Sequence, residues 1–212
     1  MIFFTSDTHF DHRNIIDFCN RPFADVVEMR EMMLDGINRT VGQKDELWIL
    51  GDFVLHGRTD GVKELRRRIV CRNVNLIFGN HDAPQHGQAF GQALDMHTVK
   101  WNHQSFLLCH YPLRSWRAKY QLHGHEHGRM KPYVGQLDVG VDGPDGKWRG
   151  RPWSVEEVIE YVNRRDSAKL VADACKQKHG DRLIVGGYGE VQQLPRGMGE
   201  EACTPADGGD AS

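Results

Sequence analysis

The stretch Val74–Asp82 reads VNLIFGNHD and decides the fold of the chain. Its first part, Val74–Phe78, has the length and apolar content of a buried strand. Its second part, Gly79-Asn80-His81-Asp82, is a polar turn that follows the strand at once. A buried strand that ends in chemically active side chains is typical of a ligand site at the edge of an α/β sheet.

Four other short apolar runs end in the same way. They are Ile2–Ser6 before Asp7 and His9, Leu47–Leu50 before Gly51-Asp52, Ser105–Cys109 before His110, and Tyr120–Leu122 before His123-Gly124-His125-Glu126-His127. Open α/β sheets bind ligands beyond the carboxyl ends of their strands. We therefore expect the polar side chains after these runs to converge in one place.

Helical patterns lie between the early strands. Apolar residues recur at helical spacing between Asp25 and Arg39, with Asp25 in the N-cap position, and Thr59–Arg68 is a second candidate helix. Strands that alternate with helices predict βαβ units. Between Thr98 and Val141 strand-like runs follow one another closely. This part favours mixed over purely parallel pairing, so the predicted fold class is α/β with a layered, mixed sheet.

The C-terminal part changes character twice. Ser154-Val155-Glu156-Glu157 is a capping box, which predicts the start of a helix. From about Tyr188 the composition shifts to Gly, Pro, Glu and Asp. We predict one domain over residues 1–187, with its motifs within 2–160 and a helical part after 154. Residues 188–212 are predicted to be a disordered tail.

Composition narrows the functional classes. With 212 residues, 39% of them hydrophobic, the chain can bury one core, and a net charge of −2 does not suggest duplex nucleic acid as a partner. The first residues lack the basic region of a signal peptide, and no run reaches the roughly 18 apolar residues of a membrane span. Five widely spaced cysteines indicate reduced thiols. We expect a cytoplasmic protein with no membrane partner.

The loop residues form a set of metal ligands. Carboxylate, imidazole and amide oxygen together suit divalent transition metals. The candidates, in chain order, are Asp7 and His9, Asp52, Asn80 with His81 and Asp82, His110, and His125 with His127. The set is too large for one ion but sufficient for two if one carboxylate bridges. Two adjacent ions can clamp the attacking and departing oxygens of a displacement at phosphorus.

In these motifs and their order the chain resembles the calcineurin-like metallophosphoesterases. The flanking His110-Tyr111-Pro112-Leu113 and Val139-Gly140-Val141-Asp142 are similar to small stand-alone bacterial and phage members. The resemblance implies a four-layer α-β-β-α sandwich with two mixed β-sheets. It also implies one metal ion on Asp7, His9, Asp52 and His127 and another on Asp52, Asn80, His110 and His125. The ions would be manganese or else iron, zinc, nickel or cobalt.

Phosphoester hydrolysis would then follow the chemistry of such sites. A water shared by two cations loses a proton near neutral pH and can attack phosphorus. His81 is the candidate general acid, since it adjoins the ligand Asn80 without belonging to the ligand set. Asp82 either orients His81 or is a plain turn residue.

Three residues are candidates for contact with the substrate. Arg114 and Trp116 follow His110 in a loop, where Arg suits a phosphate and Trp can stack on a base. The alternative is an exposed loop with its Trp packed down. Arg21 in Asn20-Arg21-Pro22-Phe23 is a further candidate phosphate contact.

The leading hypothesis is a phosphoesterase acting on small mono- or diesters, nucleotides among them. One alternative is a nuclease or phosphodiesterase acting on nucleic acid, which predicts a basic groove. Another is an inactive scaffold that binds proteins, which predicts missing ligands, whereas this chain has them all. Many family members read Gly-Asp-x-x-Asp in the second motif, but here Leu55 stands in the last position.

Overall fold

The computed structural model of the protein describes residues 1–55, 59–144 and 146–180. The predicted tail, residues 188–212, lies outside them and stays a prediction. Two compact units are distinguished, Met1–Leu170 and Val171–Ser212, and of the second only the end of a helix belongs to the described part. Among the described residues, no helix has the length and apolar character to cross a membrane.

Nine strands and four helices make up the described chain. They are β1 (Ile2–Thr5), α1 (Arg13–Phe18), α2 (Val26–Thr40), β2 (Glu46–Ile49), α3 (Thr59–Arg68), β3 (Asn73–Ile77), β4 (Ala93–Leu94), β5 (Met96–Trp101), β6 (Gln104–Cys109), β7 (Tyr120–His123), β8 (Gln136–Asp138), β9 (Trp153–Ser154) and α4 (Val155–Gly180). A 3₁₀ helix, Pro84–Ala89, follows β3.

Two mixed sheets are present, as predicted. The first has the order β4-β3-β2-β1-β9, parallel except for the antiparallel pair β1 and β9. The second has the order β5-β6-β7-β8, in which only β5 and β6 are antiparallel. The fold class α/β with two mixed sheets is therefore confirmed, and the number of layers stays a prediction.

Strand alternation divides the apolar residues between two cores. Phe3 of β1 packs with residues of α2 and α3, whereas its neighbour Phe4 packs on the second sheet, with its ring 6.1 Å from that of Phe106. This is the period-two alternation of a strand buried on both faces. The first sheet is thus covered by helices on one side and by the second sheet on the other.

Local signals set the ends of the helices as predicted. The Asp25 carboxylate accepts hydrogen bonds from the backbone N–H groups of Val27 and Glu28, which caps α2. Ser154 and Glu157 form a reciprocal capping box at the start of α4, with bonds of 3.1 and 2.9 Å. Both helices therefore begin where side-chain oxygens satisfy their first backbone donors.

Candidate metal centre

Loops at the carboxyl ends of β1, β2, β3, β6 and β7 bring all seven predicted ligands into one cluster. The Asn80 amide oxygen lies 3.1 Å from Nε2 of His110 and 3.0 Å from Nδ1 of His125. Nε2 of His127 lies 4.0 Å from a carboxylate oxygen of Asp7. The parallel strands aim these loops at the same edge, as expected for an open α/β sheet.

Asp52 occupies the middle of the cluster. Its Oδ2 lies 3.5 Å from Nε2 of His9 and also 3.5 Å from Nε2 of His110. Its other oxygen, Oδ1, accepts a hydrogen bond of 2.9 Å from the backbone N–H of His81. The carboxylate therefore faces imidazoles on two sides with a single oxygen.

The ligand atoms fall into two groups, each of which could hold a divalent ion. Asp7, His9 and His127 form one group, which we call the first position; Asn80, His110 and His125 form the second position. Ligand atoms of the first position lie within 4.8 Å of one another, and so do those of Asp7, Asp52 and His110. Asp7 thus faces both positions, although the resemblance assigned it to the first alone.

Backbone strain is concentrated at the same residues. Five of the seven predicted ligands have a positive φ: Asp7 (55°), His9 (47°), Asp52 (53°), His125 (71°) and His127 (48°). Such values are uncommon for residues other than glycine and cluster at functional sites. Hydrogen bonds from the N–H of Asp7 to Gly51 and of His9 to Asp52 hold the first loop on the second.

Two glycines of the motifs are required because side chains of neighbouring loops lie too close for a Cβ atom. A Cβ on Gly79 would overlap Oδ1 of Asp52, and a Cβ on Gly124 would overlap the side chains of Ser6 and Asp7. These contacts explain why Gly precedes Asn80 and His125 in the sequence. The missing side chains allow one ligand loop to touch the carboxylate of another.

The donor atoms fit a divalent metal. The His9 side chain is buried, with 1% of the residue exposed, yet neither ring nitrogen has a hydrogen-bond partner within residues 1–55, 59–144 and 146–180. Buried polar atoms are rarely left in this state unless they serve an ion or a function. Imidazole, carboxylate and amide oxygen together form an N/O ligand set for a transition metal.

Without metal, the cluster holds protons on selected groups. Burial alone would lower the pKa values of His127 and His110. Contact with Asp142 nevertheless raises the pKa of His127 to about 10, and contact with Asp52 raises that of His110 to about 9. Burial lowers the pKa of His9 to about 3 and raises that of Asp7 to about 7. Although burial opposes it, contact with His110 lowers the pKa of Asp52 to about 2. An arriving cation would displace these protons.

Comparison with known proteins identifies the family of the chain. Residues 1–138 match the calcineurin-like phosphoesterase superfamily domain. The chain belongs to this superfamily. It is a metal-dependent phosphoric ester hydrolase; the family implies divalent metal ions, and the cluster contains candidate groups that could hold them.

Relatives of this phosphoesterase match along most of their length. An uncharacterized protein of Methanocaldococcus jannaschii is 35% identical over 184 residues, covering 81% of this chain and 97% of the relative. The gene 66 protein of Mycobacterium phage D29 is 26% identical over 205 residues, covering 76% and 96%. A protein of unknown function from Aquifex aeolicus has a similar fold, with a TM-score of 0.58 and 22% identity over 76% of this chain and 99% of that one.

The two predicted catalytic residues of the phosphoesterase lie beside the ligands. The His81 ring centre is 5.3 Å from that of His9. The Asp82 carboxylate accepts hydrogen bonds from the backbone N–H groups of Asp52, Phe53 and Gly79. These bonds clamp the loop after β2 to the loop after β3. The action of Asp82 on the His81 side chain stays a prediction.

The three candidate substrate contacts are in different environments. Arg114 is exposed and Trp116 is half-buried, both in the loop after His110. Arg21 is buried, and its guanidinium bonds to Asp142 and to backbone carbonyls of the first loop. Those bonds use its donors, so the prediction that Arg21 contacts phosphate is corrected: its charge is directed into the protein.

Sequence reasoning missed some neighbours of the ligands. Asp142 accepts a 2.6 Å hydrogen bond from His127, and the ring of Tyr111, which is 43% exposed, lies 4.8 Å from that of His125. Asp142 is the last residue of the motif Val139-Gly140-Val141-Asp142. Its contact with His127 depends on how the chain turns between the two residues, which no local sequence pattern encodes.

Proposed function

We propose that the protein is a two-metal phosphoesterase that hydrolyses small phosphate mono- or diesters, nucleotides among them. The observation that carries the proposal is the position of Asp52, whose Oδ2 lies 3.5 Å from imidazole nitrogens of both groups. One carboxylate oxygen shared by two ligand groups is the arrangement that a bridged pair of ions needs.

The proposed ligands divide between two ions. Asp7, His9 and His127 would hold one ion and Asn80, His110 and His125 the other, with Asp52 between them. Manganese is the first candidate, before iron, zinc, nickel or cobalt. When bound, such ions lower the pKa of a water ligand and neutralise charge on the phosphoryl oxygens.

The chain's own residues do the remaining work. His81 carries a proton to the leaving oxygen, because it lies beside the ligands and its backbone N–H is fixed on Asp52. Asp82 holds the loops of Asp52 and Asn80 in register through its three backbone bonds. Arg114 and Trp116 are proposed to contact the phosphate and the organic group of the substrate.

Metal content and a substrate panel test the proposal together. Protein loaded with Mn²⁺ would be analysed for ions bound per chain, with Asp52→Asn as the matched control. The panel comprises p-nitrophenyl phosphate, bis-p-nitrophenyl phosphate, 2′,3′-cyclic nucleotides and single-stranded DNA. We expect two ions per chain and turnover of small esters.

Each contrary outcome would lead to a different conclusion about the proposal. One ion per fully loaded chain would refute the paired centre. Cleavage of DNA alone would indicate a nuclease, and no turnover of any ester would indicate a protein-binding scaffold. Activity in Asp52→Asn equal to that of the unaltered chain, although its paired ions are lost, would show that hydrolysis comes from a contaminant.

A further inference from the structure

We infer that the buried ion pair of Arg21 and Asp142 positions His127, with its Nε2 toward Asp7, and so sets the metal affinity of the first position. This inference rests on the proposed two-metal function. Neither residue belongs to the predicted ligand set. Arg21 and Asp142 are 121 residues apart in the chain, and both are buried.

Arg21 joins Asp142 to the first ligand loop. Its side chain is 0% exposed, and its Nε and Nη2 each lie 2.9 Å from a different oxygen of Asp142. The same guanidinium donates to the backbone carbonyls of Asp7 and Thr8, at 2.7 and 3.0 Å. The planar fork of arginine suits such paired bonding, which a lysine could not reproduce.

Asp142 in turn fixes the His127 ring. Its Oδ2 lies 2.6 Å from Nδ1 of His127, and the opposite nitrogen, Nε2, faces Asp7. The His127 ring also lies against His9, with ring centres 5.3 Å apart and planes inclined by 28°. A proton held on Nδ1 leaves the Nε2 lone pair for an ion, and carboxylates in this relation make a histidine a stronger ligand.

A buried ion pair is a poor source of stability, since desolvation offsets most of its attraction. Two charges kept at this place are better explained by what they position. The pair connects the backbone of Asp7 with the ring of His127, two of the three members of the first position. Among the residues that the structure describes, none gives His125 of the second position such charged support, and its ring bonds to Asn80.

Cobalt titration of the full chain tests the inference. Co²⁺ binding would be followed by calorimetry and by visible absorption, with His127→Gln and His125→Gln assigning the two binding steps. Asp142→Ala is expected to weaken the first position by about 10- to 100-fold, the range known for such supporting residues. The second position should keep its affinity within experimental error. Arg21→Lys should give a smaller loss at the same step.

Two controls separate positioning from loss of structure. Val158→Ala removes volume from the core in which Val158 is buried together with residues of both sheets, and should lower thermal stability without a selective loss of the first ion. Histidine ¹H–¹⁵N spectra of the metal-free chain should show a protonated His127 Nδ1 that is lost or exchange-broadened in Asp142→Ala but kept in Val158→Ala.

The results distinguish this inference from the proposed function. Equal losses at both positions in Asp142→Ala, or no loss at either, would overturn the positioning role while two bound ions leave the function standing. A single Co²⁺ per unaltered chain would refute the two-metal function instead. In that case, an ion weakened by Asp142→Ala no more than by Val158→Ala would overturn the positioning role too.

Discussion

The first and second positions differ in how they are enclosed. Asp7 and His9 of the first are buried, and its His127 is braced by the ion pair of Asp142 and Arg21. The second has a buried His110, but Asn80 is exposed and His125 is only half-buried. His127 is half-buried like His125, so the first position is the more enclosed of the two, whereas the second opens more to solvent, where a substrate can arrive.

Removing the residue that both halves share should have the largest effect. Asp52→Asn keeps the size of the side chain but removes the charge between His9 and His110. We expect paired binding to be lost and kcat/KM for nitrophenyl esters to fall more than about 10³-fold, or about 4 kcal/mol. Metal analysis and steady-state kinetics check this. A fall of less than tenfold with two ions retained would refute the bridging role.

His81 lies on the side of the first position, near His9. His81→Ala should lower turnover of alkyl phosphates by about 10²-fold, the lower range for general acid catalysis. Nitrophenolate leaves without a proton, so its esters should lose much less. Comparing kcat across leaving groups measures the difference, with the exposed His103→Ala as control. A uniform loss would contradict the role of His81 as an acid.

The protons held by the metal-free centre predict how each half responds to pH. The pKa values of His127 and Asp7 are raised, to about 10 and about 7, whereas in the second position His110 is raised to about 9 and His125 is lowered. Groups that hold protons near pH 7 must lose them to bind an ion, so affinity rises with pH.

Linkage predicts about a tenfold gain per pH unit for each proton released, until the pH passes the raised pKa. The first position has the additional proton of Asp7 to release until the pH passes about 7, and its affinity should therefore rise more steeply between pH 6 and 7. Co²⁺ calorimetry in buffers of different ionisation enthalpy counts the protons. Equal pH dependence of the affinity at both positions would contradict the prediction that the first position releases more protons.

Glycine substitutions give the smallest expected effect and test how tightly the loops meet. Gly124→Ala would press a methyl group on Ser6 and Asp7, and we expect a loss of about 1–3 kcal/mol of stability. The matched control is Gly61→Ala in α3, where a Cβ meets no atom of the described residues within 4 Å. It should stabilise the chain by about 0.4–1 kcal/mol. Denaturant unfolding measures both, and a neutral Gly124→Ala would show that the loops can separate.

Much of the fold was predictable because its signals are local. Apolar runs located β1, β2, β3, β6 and β7, the Thr59–Arg68 helix has the predicted bounds, and side-chain caps marked the starts of α2 and α4. The convergence of the ligands was predictable too, because parallel strands end at a common edge. The boundaries of the domain and its number of layers remain predictions.

The role of Arg21 was not predictable. From the sequence it is an arginine in a polar loop, and its burial depends on Asp142, which lies 121 residues away. The left-handed backbone of Asp7, His9 and Asp52 was equally hidden, because it is maintained by bonds between loops. Neither feature follows from residue type or spacing.

The amino-acid sequence alone therefore predicted the five strands that precede the polar loops, the chemistry of those loops and the family. Those properties depend on periodicity and residue chemistry within a few neighbouring positions. Only the tertiary structure decided that Asp52 stands between two imidazole groups and that Arg21 turns inward to Asp142. Such contacts depend on how separate strands are packed, and the free energy of that packing belongs to no single segment.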